Sequence, residues 1–115
     1  MQTISATSAV QLFGDKDTVF VDVRGHSEIA NSGTIEGALI APLPEFMTHA
    51  KPDGSSTLPG VNSGKRIIVV CASGARSGAA VQQLIRAGYD NVANLSGGIG
   101  AWARAGGKMA ASELS

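Results

Sequence analysis

The sequence predicts an α/β fold: a central, mostly parallel five-stranded sheet with helices on both faces. Three observations predict it. Short apolar runs rich in β-branched residues alternate with stretches of helical periodicity, the pattern of strands joined by crossover helices. Residues 67–70, Ile-Ile-Val-Val, are apolar at every position, as in a strand buried on both faces. No segment repeats, and 115 residues with 43% hydrophobic content suit a single domain with a real core.

Residues 2–4 read as a short edge strand, whose pairing direction the pattern leaves open. Hydroxyls in residues 5–8 offer a helix cap, and Ala9, Val10, Leu12 and Phe13 follow as a short helix. Gly14, Asp15, Lys16 and Asp17 make a turn. Residues 18–23 are a second buried strand. Asp22 near its end needs a partner, because an acid among apolar residues is costly to bury alone. Arg24 just beyond, or Arg76 across the sheet, would supply one; a salt bridge between Asp22 and Arg24 that braces the loop is the expectation.

Residues 27–31 read as a short helix ended by Gly33, with His26 a solvated loop residue before it. Residues 38–40 are a third short strand broken by Pro42, and 43–46 make a helical turn. Residues 48–64 are rich in Gly, Pro, Ser and Thr, long for a connection in a compact domain. They either fold over a site or are ordinary surface, the second being the expectation. His49 at their start has no evident ligand partner.

Lys65 and Arg66 then lead into the strand at 67–70. From Arg76 and Ser77 onward, Val81, Leu84 and Ile85 recur at helical spacing, and Gly88 ends the helix cheaply in the left-handed region. Residues 91–95 are the last strand. Ser96, Gly97 and Gly98 turn tightly into a helix over 99–105. The glycine pair lacks the fuller dinucleotide pattern, so it reads as a packing turn. Trp102 is a core anchor for this helix. The domain is expected over residues 1–106, with 107–115 a frayed C-terminal tail.

Nine basic residues balance nine acidic ones, and no basic stripe suggests a nucleic-acid partner. One cysteine excludes an internal disulfide, and with two separated histidines it disfavours a metal site. The first 13 residues do not follow the plan of a secretory signal, and no apolar run is long enough to span a membrane. A free thiol suits a reducing compartment, so a cytoplasmic location is expected.

That thiol is where the chemistry concentrates. Cys71 stands at the C-terminal tip of the buried strand, followed by the small residues Ala72, Ser73, Gly74 and Ala75, then by Arg76 and Ser77 opening a helix. The first amides of a helix lack intrahelical partners, and the helix end carries partial positive charge. A loop of small residues can also turn its own N–H groups toward one point. A cysteine there is biased toward thiolate, with its pKa lowered to roughly 3.5–7.5. The alternative is a small buried hydrophobe, the usual role of a free cysteine; the register of strand, loop and Arg76 argues against it.

The stretch from Cys71 to Ser77 resembles the active-site loop of the rhodanese sulfurtransferases. Val21-Asp22-Val23-Arg24 with Glu28 resembles the first block of that family. Gly33-Thr34-Ile35-Glu36-Gly37-Ala38 resembles its Gly-His-Ile-Pro-Gly-Ala block, with Thr34 and Glu36 as departures read as affecting a turn and a surface. Residues 88–92, Asn94-Leu95, Gly97-Gly98 and Trp102 resemble its C-terminal block. Four blocks in order, over roughly residues 2–106, are far more specific than any one.

The resemblance implies a single rhodanese-like domain that moves sulfane sulfur. Cys71 would attack the outer sulfur of thiosulfate or a thiol persulfide and become a persulfide. Main-chain N–H groups of Ala72, Ser73, Gly74, Ala75 and Arg76 would bind its terminal anion, with Asp22, Arg24 and Ser77 in support. Cyanide or a thiol, a protein thiol among them, would then take the sulfur. No cofactor, metal, nucleic acid or membrane is called for. Ala72 stands where many family members carry a charged residue, so thiosulfate should be a weaker donor than thiol persulfides. Arg76 adds charge to the cradle if it faces inward and is structural if it faces outward.

Two rivals remain at this point. A cysteine phosphatase or arsenate reductase also uses a cysteine loop and an arginine, but with five intervening residues where this chain has four, and with an acid to protonate the leaving group. A non-turnover persulfide carrier or sulfur-sensing module would use the same cradle and differ only in turnover.

Overall fold

The computed structural model describes residues 2–49 and 65–110, so most of the segment 48–64 lies outside it; Thr48 and His49, expected in a loop, instead end a helix that continues the turn at 43–46. The elements run β1 (Thr3–Ile4), α1 (Ala6–Gln11), β2 (Thr18–Asp22), α2 (His26–Ser32), β3 (Thr34–Ile35), β4 (Leu39–Ile40), α3 (Leu43–His49), β5 (Arg66–Val70), α4 (Ala75–Arg86), β6 (Val92–Leu95), α5 (Gly98–Arg104) and β7 (Met109–Ala110). Five strands form one sheet in the order β1-β6-β5-β2-β4, and every pairing in it is parallel. The edge strand β1 therefore runs with the others, Thr3 opposite Asn94.

Strand β5 is central because its sequence is apolar on both sides. Ile67 and Val69 enter a core layer with Phe46 of α3 and Val81 and Leu84 of α4. Ile68 and Val70 enter the opposite layer with Ala9 of α1 and Trp102 of α5. Alternation of side chains along the strand thus feeds two helix layers at once. Ser5 caps α1, its hydroxyl accepting from the Ser8 N–H at 3.2 Å. Gly88, at φ +106°, follows α4 in a Schellman arrangement: Gly88 N–H reaches Ile85 O and Tyr89 N–H reaches Leu84 O, both at 3.0 Å.

Two strands escape the alternation. β3 and β7 form a separate antiparallel pair, Thr34 opposite Ala110 and Ile35 opposite Met109. Residues 108–110 are therefore not a frayed tail. The Trp102 indole N–H donates to Lys108 O at 3.1 Å, and the Glu36 N–H donates to the same oxygen at 3.1 Å. Trp102, fully buried, packs its ring edge-on to Phe20 at 5.1 Å, the anchoring role its position predicts.

An open groove of about 450 Å³ lies at the amino ends of the strands, lined by Phe13, Thr18, Phe20, Glu36, Leu39 and Lys65. It is at the far end of the sheet from Cys71. Among the described residues no helix is long and apolar enough to cross a membrane.

Candidate active site

Parallel strands deliver their carboxyl ends, and the loops that follow them, to one edge of the sheet, where ligands bind in open α/β folds. Cys71 follows β5 directly, at that edge, and it is free. Its loop turns sharply at Gly74, whose φ of +107° is a conformation that other residues adopt only with strain. That turn aims the Gly74 N–H back at Cys71 Sγ, 3.0 Å away. The Ser77 hydroxyl lies 3.3 Å from the same sulfur.

Cys71 is 1% exposed, while Ala72, Ser73 and Ala75 around it are exposed. Burial pushes the thiol pKa up, but hydrogen bonds from the Ser77 hydroxyl and from the Ser77, Gly74 and Ser73 amides outweigh it. The thiol is held below its ordinary value. Burial alone would make Cys71 an inert core residue; the converging donors distinguish it from one.

The rest of the edge fixes this loop. Ile99 N–H, in the first turn of α5, donates to Cys71 O at 2.9 Å. Gly98 lets α5 come this close: a Cβ there would sit 2.3 Å from Ala72 O and 2.5 Å from Cys71 O. The Gly97-Gly98 turn is thus a packing device, as its sequence suggests. Buried Asn94 on β6 accepts from the Ser77 hydroxyl at 2.5 Å and donates its amide to Gly74 O at 3.0 Å.

Arg76 pairs with Glu28 rather than hydrogen-bonding the sulfur. Its guanidinium grips Glu28 of α2 with both terminal nitrogens, at 2.5 and 2.8 Å, and both side chains are about 40% exposed. The pair holds the Glu28 carboxyl down at about 2, chiefly through the Arg76 hydrogen bonds. Asp22 and Arg24 form the expected buried salt bridge, Arg24 Nη2 to Asp22 Oδ2 at 2.8 Å. Arg24 also donates to Ser32 Oγ at 2.8 Å and Gly33 O at 2.6 Å, tying β2 to the end of α2. Neither residue reaches Cys71 by a hydrogen bond shown among the described residues.

Thr34 departs from the expectation of a turn residue. It is buried in β3, and its hydroxyl donates to Asp22 Oδ2 at 2.7 Å, because an acid at full burial needs more partners than one arginine supplies. Glu36 is exposed, with Lys108 3.5 Å away. His26 is exposed at the start of α2. Sequence reasoning did not single out Asn94 as part of the site. The usable signal was the one applied to Asp22: a polar side chain inside an apolar strand.

The family model for the rhodanese-like domain matches residues 5–105. The chain is 39% identical over 104 residues to a protein of Allochromatium vinosum named sulfurtransferase, covering 90% of this chain and 89% of that one. It is 38% identical over 92 residues to the mitochondrial protein HIGH ARSENIC CONTENT 1 of Arabidopsis thaliana, covering 76% of this chain and 53%, about half, of that one. A solved Rhodopseudomonas palustris protein, described as a possible tyrosine phosphatase, superposes with TM-score 0.87 at 30% identity, covering 96% of this chain and 85% of the other. A rhodanese-related protein of Thermoplasma volcanium superposes with TM-score 0.77 at 27% identity, covering 97% of this chain and all of the other.

Proposed function

The chain belongs to the rhodanese-like domain family, and from that membership we propose that it is a sulfurtransferase working through a persulfide on Cys71. The observation that carries this reading is a lone thiol at the carboxyl end of the central strand, met by the Gly74 amide at 3.0 Å and lowered in pKa by its loop. The thiolate attacks the outer sulfur of the donor. A new Cys71–S bond forms, the donor's S–S bond breaks, and its electron pair leaves with sulfite or with a thiolate. Cyanide or an acceptor thiolate then attacks the outer sulfur and returns the pair to Cys71. Donor amides and the start of α4 stabilise negative sulfur in both halves. The chemistry needs no cofactor and proceeds in a reducing compartment such as the cytoplasm, where Cys71 stays free.

The donor is better sought among thiol persulfides than as thiosulfate. Arg76 is the cation nearest this loop in sequence, and Glu28 neutralises it. A Michaelis constant lower for thiosulfate than for glutathione persulfide would contradict this preference.

The likeness to a possible tyrosine phosphatase makes phosphoryl transfer the reading to exclude. Four residues separate Cys71 from Arg76, Arg76 points to Glu28, and Asp22 is committed to Arg24 and Thr34. No hydrolysis of p-nitrophenyl phosphate is expected.

Intact-mass analysis after incubation with each sulfur donor tests the proposal. One added sulfur atom is expected on the parent and none on Cys71→Ser. A parent that stays unmodified, or a variant that loads equally, would refute it. Repeated release to cyanide or a small thiol separates an enzyme from a carrier that discharges only to its partner.

A further inference from the structure

Cys71, Ser77 and Asn94 are all buried and linked through one hydroxyl: Sγ to Ser77 Oγ is 3.3 Å, and Ser77 Oγ to Asn94 Oδ1 is 2.5 Å. A hydroxyl has one proton to give. The Asn94 orientation is set independently, because its Nδ2 donates to Gly74 O at 3.0 Å, which leaves Oδ1 facing Ser77. The chain of bonds is therefore complete when Cys71 is a neutral thiol: S–H donates to Ser77 Oγ, and Ser77 O–H donates to Asn94 Oδ1. When the sulfur is anionic, both it and Asn94 Oδ1 compete for the same proton.

We propose that Asn94 is a positioning residue for Cys71: it competes with the sulfur for the one Ser77 hydroxyl proton and so limits how far the sulfur is stabilised as an anion. This deepens the persulfide reading and rests on it only for its purpose. In a persulfide the charge moves to the outer sulfur, Sγ becomes neutral, and Ser77 keeps its bond to Asn94 at no cost. Asn94 thereby disfavours charge on Sγ while leaving the outer sulfur to the main-chain donors. A less stabilised thiolate is also the better nucleophile, since nucleophilicity falls as thiol pKa falls.

The test replaces the acceptor with an apolar side chain of similar size, Asn94→Leu, and titrates thiolate absorbance. Gly74 O keeps its bond from Gly78 N–H at 3.0 Å, so the loop retains an anchor. The charged groups around the site, Arg76 with Glu28 and the Asp22–Arg24 pair, are unchanged. With the hydroxyl proton released to sulfur, the thiol pKa should fall by about one unit, a tenfold change in thiolate. Ser77→Ala should raise it, and Asn94→Leu added to Ser77→Ala should produce no fall. A pKa that is unchanged or raised in Asn94→Leu, or an equal fall without Ser77, would overturn the proposal. If Asn94→Leu does not fold, Asn94→Asp with and without Ser77→Ala carries the test: the added charge raises the pKa in both backgrounds, the rise should be larger when Ser77 is present, and an equal rise overturns the idea. The titration reads the thiol directly, so failure of the parent to load sulfur would strike the proposed function and leave this result standing.

Discussion

Replacing Gly98 by alanine tests whether the close approach of α5 sets the geometry of the sulfur site. Two costs add. The φ of +66° strains any residue with a Cβ, by roughly 1 kcal/mol. The added methyl would also sit 2.3 Å from Ala72 O, about 1 Å inside ordinary contact at 3.4 Å, and its other near neighbours are backbone atoms that cannot rotate away. Overpacking of this kind costs about 1–3 kcal/mol, for a total loss near 2–4 kcal/mol. Relief requires Ala72 and Cys71 to retreat from α5 by about 1 Å, and a displacement of that size lowers a rate by about 100-fold. Gly14→Ala is the control, since Gly14 has φ +85° with nothing within 4 Å of its Cβ position. It should lose about 1 kcal/mol and keep its transfer rate. Urea unfolding gives the first quantity and sulfur transfer to a small thiol the second. If Gly98→Ala matches Gly14→Ala in both, the contact between α5 and the loop does not hold the site, and this reasoning fails.

Thr34→Val removes the hydroxyl that donates to Asp22 at 2.7 Å and should cost ~1.5–3 kcal/mol by denaturant titration, with sulfur loading retained. A loss below ~0.5 kcal/mol, the range of neutral surface changes, would show that Arg24 alone satisfies the acid. Glu28 has its pKa lowered from 4.5 to about 2, so the contribution of its pair with Arg76 is fully present above pH 4.5 and is lost as pH falls through about 2. Partial exposure keeps that contribution to ~0.2–1 kcal/mol. A Glu28→Gln variant should lack this acid-dependent component, and an identical acid unfolding profile would contradict the assignment. The same variant frees Arg76 and should raise kcat/KM for thiosulfate relative to glutathione persulfide, measured side by side; an unchanged ratio would show that the pairing does not set donor preference.

The parallel sheet, its helices and the place of the thiol were legible because they rest on local patterns. Residues 67–70 announce a doubly buried strand, and Cys71 stands where such a strand ends. β3 and β7 were not legible: each has two residues, too few for an alternation, and each exists only because the other lies opposite. Thr34 passed for a turn residue because its burial depends on Asp22, twelve positions earlier. The direction of Arg76 was open for a similar reason. Its partner Glu28 is 48 residues away in the chain, and spacing from Cys71 says nothing about where a long side chain turns. Asn94 was readable in principle, as a polar residue in the strand Val-Ala-Asn-Leu, but nothing local names Ser77 as its partner.

The strand order has a consequence for how the protein is made. β5 lies between β2, which precedes it, and β6, which follows it, while β1 waits for β6 across nearly the whole chain. A nascent chain that ends before residue 92 has delivered the reactive sulfur without Asn94, without α5 and without the strand that pairs with β1. Until residues 92–104 join the fold, that thiol lacks the side chain and the helix that hold its loop in place.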